Sequence, residues 1–399
     1  MTATYPGKTI KPAALLRHGG LILLTLLLGA CSDTGQPTTP LTASPPQINT
    51  DLQAYNSLVN AQTRKSLIFA EALRLSTEQF LATPDESQQQ ALQAAWLKAH
   101  NAFVAVAALA ALDPEAPLLF QIDAWPIQPG YLDSLPAYPD SGLISDVTVA
   151  ISKESLREQH GFTDSQEVSL GFHAMEYLVF ARPAADFAIL SGSTDGAALN
   201  SVQNPIGDVV TGADANAPQA GEETEADPAG AVAANVVPRR RETLRILAEL
   251  INLDLNQLVT DINSTMADNP TNAAPARLRN IIAYSRHTSD MALAACHQLL
   301  AQEPGHGAFS NSSAEILQLT LTGLQQVFYQ PADLAQSLAT LAPRAASDFQ
   351  ATLAEAQGLS SRPGPASEAD YARLTLLVAA LPHQLDDLAA ALQGQPAGQ

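Results

Sequence analysis

The chain has 399 residues, of which 46% are hydrophobic and 15% are charged. This composition excludes full-length disorder and allows two domains of ordinary size. With 20 basic and 40 acidic residues, the net charge is −20, which repels phosphate backbones and argues against nucleic acid as a partner. Only 5% of the residues are aromatic, while alanine, leucine and glutamine recur throughout. We therefore expect a mostly helical fold.

The N-terminal residues have the three parts of a bacterial lipoprotein signal peptide. Basic residues up to Arg17 precede an apolar run at 21–28 that is too short to span a bilayer. The run ends in Leu-Gly-Ala-Cys at 28–31, which resembles a lipobox, where the cysteine thiol receives the lipid. We predict cleavage after residue 30 and a lipid anchor at Cys31. An ordinary signal peptide that happens to end near a cysteine is the alternative.

The residues after Cys31 predict where the protein lies. Ser32 stands where aspartate would resemble an inner-membrane retention signal, so we expect the outer membrane, facing the periplasm. Residues 31–50 are rich in proline, threonine and serine, which predicts an extended tether to the membrane. Cys296 is the other cysteine of the chain and is expected to be a buried small side chain, so the mature chain has no intramolecular disulfide.

Apolar residues at intervals of three and four predict most of the helices. The first begins at Asp51, and a capping box at 83–86 opens a second helix that reaches residue 112. Six prolines between 113 and 140 predict a long ordered loop, followed by a weak helical stretch near 142–158. The last third of the chain predicts four helices, at 276–300, 313–328, 333–356 and 368–392.

One helix carries the candidate chemistry. A capping box at 163–166 predicts a helix from Glu167 to Phe180 that is apolar on most sides and therefore buried. His173 and Glu176 share one face of it, and a buried carboxylate needs a cation, a proton or a hydrogen-bonding partner. At this spacing the pair could bind one metal ion. Tyr177 stands where a zincin motif needs its second histidine, so the zincin interpretation fails.

The acidic composition of residues 191–238, which contain no lysine or arginine, predicts a disordered insertion between two helical bundles. Arg239, Arg240 and Arg241 follow it, and we expect them to face solvent or to pair with the insertion. The predicted domains are a signal peptide at 1–30, a tether at 31–50, a first bundle at 51–185, the acidic insertion at 186–238 and a second bundle at 239–393.

A polar loop at 305–313 separates two of the predicted helices of the second bundle. Its side chains either cap the start of the following helix or line a pocket. In the second case His306, Ser310 and Asn311 are the lining residues.

Four segments of the chain occur in the order expected of imelysin-like proteins. They are Asp-Ala-Trp-Pro-Ile at 123–127, Gly-Phe-His-Ala-Met-Glu-Tyr-Leu at 171–178, Arg-Arg-Arg-Glu-Thr-Leu at 239–244 and Ala-Phe-Ser-Asn-Ser-Ser at 308–313. The chain resembles that family from about residue 50 to its end. The resemblance implies two helical bundles, an envelope location, a link to iron uptake or iron-regulated expression, and membership of the M75 metallopeptidase class.

The resemblance also implies a cleft between the two bundles. Carried over by position, it places the Gly-x-His-x-x-Glu motif at the centre, with the 123–127 loop nearby and the 308–313 loop contributed by the second bundle. The residues are Gly171, His173, Glu176, Asp123, Trp125, Phe309, Ser310 and Asn311.

The chain also departs from the family pattern. Relatives often carry a glutamate where Val106 and Ala107 stand, and acidic residues where Gly305 and Asn311 stand. The departures imply fewer anionic ligands, so that metal binding is weakened or lost.

Three functions are compatible with these patterns. The favoured one is a non-enzymatic envelope lipoprotein that binds a divalent metal or a metal complex, with iron first and zinc or copper second. It would act in iron uptake or homeostasis, with iron-uptake proteins as partners. The second is an M75-type metallopeptidase in which a metal activates water. The third is a partner-binding scaffold in which His173 and Glu176 form a buried hydrogen-bonded pair.

Overall fold

The computed structural model describes residues 45–113, 115–189, 228–267, 274–362 and 366–393. The predicted signal peptide with Cys31, most of the tether and most of the acidic insertion lie outside these residues. Within the described ranges every regular element is a helix and there is no β-strand, so the all-α prediction is confirmed.

Eleven α-helices, numbered in chain order, and one short 3-10 helix at Ala184–Phe187 make up the described fold. The α-helices are α1 Pro45–Ala82, α2 Glu86–Leu109, α3 Pro117–Asp123, α4 Lys153–Gln159, α5 Gly171–Phe180, α6 Pro228–Ala267, α7 Ala274–Ala301, α8 Ser313–Phe328, α9 Leu334–Leu341, α10 Pro343–Ser360 and α11 Glu368–Gln393. None of them is both long enough and apolar enough to cross a membrane.

The helices pack through one apolar core. α1 packs against α2 and α6, α2 against α8, and α7 against α11. The contacts of α1 with α6 and of α2 with α8 cross the predicted boundary at 186–238, and all described helices belong to one compact unit. The division into two bundles at that boundary stays a prediction. Trp96, Phe103 and Phe172 are among the largest fully buried side chains, and each such burial stabilises the fold by roughly 1.5–3 kcal/mol.

The helices of the last third lie close to their predicted bounds. The prediction for 313–328 is confirmed to the residue, and those for 276–300 and 368–392 to within two residues. The predicted helix at 333–356 is instead two helices, α9 and α10, because Pro343 has no N–H to continue α9 and begins α10. Cys296 is fully buried on α7, as predicted, and burial raises the pKa of its thiol to about 12.

The proline-rich segment differs from its prediction. It contains α3, in which Pro117 occupies the first turn, where a proline ring is tolerated because the missing N–H would have no helical partner. The helical stretch predicted near 142–158 is helical only in α4. The hydroxyl of Ser152 caps this helix by accepting from the N–H of Ser155. α1 begins at Pro45, six residues before the expected start, and Ile48 is buried in the core.

The arginines at 239–241 bind protein groups and do not extend freely into solvent, and Arg240 and Arg241 donate to the carbonyls of Asp186 and Phe187 at the start of the predicted insertion. Arg239 donates to the carbonyls of the proline-rich segment, which include those of Leu143, Ile144 and Val149. Arg240 is buried and pairs with the buried carboxylate of Asp133 at 2.7 Å. Arg239 and Arg240 therefore fasten the proline-rich segment to α6, because the side chain of Arg239 supplies the donors that buried loop carbonyls need and Arg240 neutralises Asp133.

Candidate metal centre

Four side chains from separate parts of the fold meet at one point. His100 comes from α2, Asp123 from the end of α3, His173 from α5, and His306 from the loop between α7 and α8. Asp123 Oδ1 lies 3.0 Å from His100 Nε2 and 3.2 Å from His173 Nε2. Its other oxygen, Oδ2, lies 3.1 Å from His306 Nε2. One carboxylate therefore faces three imidazoles, and we call these four residues the His/Asp cluster.

Gly171 allows the close approach that forms the cluster. It takes a φ of +80°, and a Cβ atom on it would lie 2.4 Å from the carbonyl oxygen of Ile122. The start of α5 therefore lies directly against the end of α3, which brings His173 beside Asp123. This contact also explains why α5 begins at Gly171 and not at the predicted Glu167, since Leu170 is extended with ψ 169°.

Glu176 does not face Asp123. Its Oε2 lies 2.7 Å from His173 Nδ1, and its Oε1 accepts hydrogen bonds from the N–H and the hydroxyl of Ser310 at 2.8 and 2.6 Å. Both oxygens of this buried carboxylate are therefore used, and a proton on His173 Nδ1 leaves Nε2 free to act as a ligand toward the cluster.

Aromatic side chains enclose the cluster. Trp96 donates its indole N–H to the carbonyl of Phe172 at 3.0 Å and stacks on His100 with 4.7 Å between ring centroids. The Trp125 ring lies 5.0 Å from that of His173. His100 and His173 are completely buried, whereas the Asp123 and His306 side chains are 14% and 18% exposed. Access to the cluster is therefore through Asp123 and His306.

The charges of the cluster are strongly coupled. Burial alone would raise the pKa of Asp123, but the neighbouring histidines, His306 and His100 first, hold it well below its usual value. Burial alone would lower the pKa of His173, but the carboxylates of Asp123 and Glu176 raise it to about 9. Burial lowers the pKa of His100, against the attraction of Asp123. Without a metal, the favoured state is an ionised Asp123 beside a protonated His173.

The donor set suits a transition metal. One ligand atom from each of the four residues lies within 4.8 Å of every other. The distances from the Asp123 oxygens to the three imidazole nitrogens, 3.0–3.2 Å, lie between the separations of neighbouring ligands at about 2.0–2.1 Å from a six-coordinate ion (about 2.9 Å) and a tetrahedral ion (about 3.3 Å). His173 Nε2 is buried and makes no well-aligned hydrogen bond, and its one polar neighbour at 3.2 Å is Asp123 Oδ1, so either a proton shared with this carboxylate or a metal ion would satisfy it. Imidazole with carboxylate suits zinc, iron, copper or nickel.

Most residues predicted for the site lie together. His173, Asp123 and His306 belong to the cluster, Trp125 covers it, and Ser310 holds Glu176. Phe309 packs 5.3 Å from the Tyr177 ring and 6.4 Å from that of Trp125. Asn311 is exposed, with a left-handed φ of 56° that shapes the turn. The Ser312 hydroxyl makes no helix cap, so the capping interpretation of this loop finds no support.

The sequence interpretation missed His100. This residue lies four positions after Trp96 and three before Phe103, on the stripe that was expected to be apolar. A histidine inside an apolar stripe is a signal of a buried, partnered side chain, but its partner Asp123 becomes visible only in the folded chain.

His160, which is not part of the cluster, joins α3 to the segment before α5. His160, at the end of α4, donates from Nε2 to the carbonyl of Phe120 at 3.0 Å and accepts the N–H of Ser169 on Nδ1 at 3.2 Å. These bonds tie α3 to the segment that leads into α5, and they require a neutral ring. Burial lowers the pKa of His160 accordingly.

We expect this histidine to make the fold less stable in acid. Below the unfolded-state pKa of about 6.5 the unfolded chain takes up a proton that the folded chain resists, so stability falls as the pH falls. His160→Gln should reduce that loss by a few tenths of a kcal/mol to about 1 kcal/mol between pH 7.5 and pH 5, as measured by urea unfolding. His383→Gln, at an exposed position on α11, is the control. An unchanged pH dependence in H160Q would contradict this role.

Comparisons with known proteins agree with this fold. The imelysin family, Peptidase_M75, matches residues 59–392 of the chain. One similar solved structure is that of a protein assigned as an iron-regulated protein A precursor, from Parabacteroides distasonis ATCC 8503. It is 11% identical to this chain with a TM-score of 0.58, and the superposition covers 90% of this chain and 97% of that one. An imelysin-like protein from Psychrobacter arcticum 273-4 is 14% identical with a TM-score of 0.54, covering 90% and 98%. No curated protein sequence matches the chain.

The two solved structures show the fold alone, since their identities to this chain are low. The family match extends over most of the sequence, from the middle of α1 to the end of α11, and includes all four cluster residues. The chain therefore belongs to the imelysin family.

Proposed function

We propose that this imelysin family member is a non-enzymatic envelope lipoprotein that binds a divalent transition metal at the His/Asp cluster. The observation that carries the proposal is the convergence of His100, Asp123, His173 and His306, one carboxylate and three imidazoles within 4.8 Å. A buried carboxylate among three imidazoles is costly unless protons or a metal ion balance its charge, and His173 Nε2 has only this carboxylate, at 3.2 Å, as a polar neighbour.

Iron is the metal we propose first, with zinc and copper as competitors for the same donors. The name of the Parabacteroides neighbour, an iron-regulated protein, supports a role in iron uptake or homeostasis. Anchoring at Cys31 in the outer membrane and partnership with iron-uptake proteins are parts of the same proposal. Mass spectrometry of the mature N-terminus, with Cys31→Ala as control, tests the anchor.

Peptidase activity is not part of the proposal. A metallopeptidase needs a carboxylate base beside the metal-bound water. Both oxygens of Glu176, the carboxylate of the motif, are bound to His173 and Ser310 and are directed away from the open side of the cluster. A scaffold without metal is the remaining alternative, and metal binding separates it from the proposal.

The test is metal stoichiometry of the purified protein by elemental analysis and calorimetry with Fe²⁺, Zn²⁺ and Cu²⁺. We expect stoichiometric binding by the wild type and its loss in His306→Ala, while His297→Ala, at an exposed position on α7, binds as the wild type does. Absence of stoichiometric binding by the wild type would leave the scaffold function. Binding that His306→Ala retains in full would place the metal elsewhere.

Glu176 should act through His173 and not as a ligand. Glu176→Gln keeps the shape but weakens the bond that orients the imidazole, so we expect a 10- to 100-fold loss of metal affinity with stoichiometry retained at saturation. Glu315→Gln, at an exposed carboxylate that binds Asn101, is the matched control. Complete loss of binding in E176Q, with the fold intact by circular dichroism, would make Glu176 a direct ligand.

A further inference from the structure

Two adjoining cavities open beside the His/Asp cluster, with volumes of about 250 and 240 Å³. They have five lining residues in common, Ala107, Asp123, Trp125, Thr288 and Met291, so they form one continuous groove between α2 and α7. We call it the α2–α7 groove. A space of this size accommodates a small organic molecule.

The walls of the groove are mainly apolar. Small side chains, including those of Ala107 and Ala295, leave the space open, and the Trp125 ring forms one side of it. Met291 is 55% exposed at this groove, an unusual position for a large apolar side chain on a helix that is otherwise well packed. Thr288 and Gln298 add polar groups to the lining. The groove is therefore suited to an apolar body with a few polar atoms.

The polar end of the groove is the cluster itself. Of the four cluster residues, Asp123 and His306 line the groove, while His100 and His173 are completely buried. A molecule in the groove therefore reaches the cluster at the edge formed by Asp123 and His306.

Charge and coordination number define what that molecule must offer. A divalent ion bound by three neutral imidazoles and one carboxylate forms a complex with a net charge of +1. A six-coordinate ion with four protein ligands keeps two positions, which a bidentate anion fills and neutralises. Asp123 is the one carboxylate among the lining residues of the two cavities, and His287 and Gln298 are uncharged or cationic, so the groove itself supplies no second anion.

We propose that the α2–α7 groove binds a small monoanionic chelator with an apolar or aromatic body, which completes the coordination of the metal held by the His/Asp cluster. The metal ion is then shared between the four protein ligands and the chelator in a ternary complex. This inference rests on the proposed metal binding, and it adds the class of the second ligand.

The test uses two isomeric probes, picolinate and nicotinate. Both are monoanionic pyridine carboxylates, but only picolinate places its nitrogen and carboxylate for chelation of one ion. Calorimetry follows their binding to the metal-loaded and metal-free protein, and elemental analysis after gel filtration shows that the metal stays on the protein. We expect picolinate to bind the metal-loaded protein at least ten times more tightly than it binds the metal-free protein, and at least ten times more tightly than nicotinate does.

Two variants of α2 separate the groove from the metal site. Ala107→Phe fills the part shared by both cavities and should weaken picolinate binding at least tenfold while leaving metal stoichiometry unchanged. Ala105→Phe places the same ring on the same helix at a position that does not line either cavity. This variant should bind the metal and picolinate as the wild type does.

The outcomes distinguish this inference from the proposed function. A wild type that binds no metal overturns both. Metal binding without preference for picolinate, removal of the metal by picolinate, or unchanged picolinate affinity in Ala107→Phe overturns the groove assignment alone.

Discussion

Replacing Gly171 by alanine is expected to destabilise the protein by about 3–5 kcal/mol. The residue has a φ of +80°, a backbone conformation that side chains with a Cβ rarely adopt. The added methyl would lie 2.4 Å from the carbonyl oxygen of Ile122 and 2.6 Å from that of Gln121. Neither atom is the end of a flexible side chain, so α5 must move away from α3.

The movement should also affect the cluster, because Asp123 directly follows Ile122 and His173 lies two residues after Gly171. We therefore expect Gly171→Ala to lose metal affinity in whatever fraction remains folded. Urea unfolding monitored by circular dichroism measures the change in stability, and calorimetry below the unfolding transition measures the change in affinity.

Gly358 provides the matched control. It lies inside α10, and a Cβ there would meet no atom within 4 Å. Gly358→Ala should therefore stabilise the protein by about 0.5–1 kcal/mol, the difference in helix propensity between the two residues. If both variants changed the free energy of unfolding by less than 1 kcal/mol, the close contact between α5 and α3 would be wrong.

Elements whose ends coincide with local signals were predictable from the sequence. α8 follows a polar loop and precedes Gln330-Pro331, and its bounds agree with the prediction at both ends. α3 was missed because proline counts alone predicted a loop, although Pro117 occupies the helical position that tolerates it. α5 was predicted too long because residues 163–166 have the sequence of a capping box. The side chain that accepts from the Thr163 N–H is instead that of Glu167, and no helix follows directly.

The site was predictable only where its residues share one helix. The face of α5 places Glu176 beside His173, and the hydrogen bond between them follows from that spacing. Whether the pair binds one ion depends on Asp123 and Ser310, which come from distant segments and occupy opposite sides of the pair. Helical periodicity contains no information about such contacts, and the same reason hid His100.

Asp123→Asn is expected to have a large effect on metal binding. Asp123 is the one carboxylate of the cluster, and its two oxygens face all three imidazoles. The amide keeps the shape but has no charge to balance the ion, and its NH₂ group cannot act as a ligand to a metal. We expect metal affinity to fall at least 100-fold, measured by competition with a chromogenic chelator.

Asp140→Asn removes the same charge from an exposed position in the proline-rich segment, so it controls for the change in net charge. It should keep the affinity of the wild type within twofold. The charge of the whole protein is −20, and acidic residues over its surface also attract cations weakly. If Asp123→Asn and Asp140→Asn lost similar, small amounts of affinity, the bound metal would belong to this diffuse attraction and not to the cluster. A large loss confined to Asp123→Asn places the ion at the carboxylate that joins α3 to the three histidines.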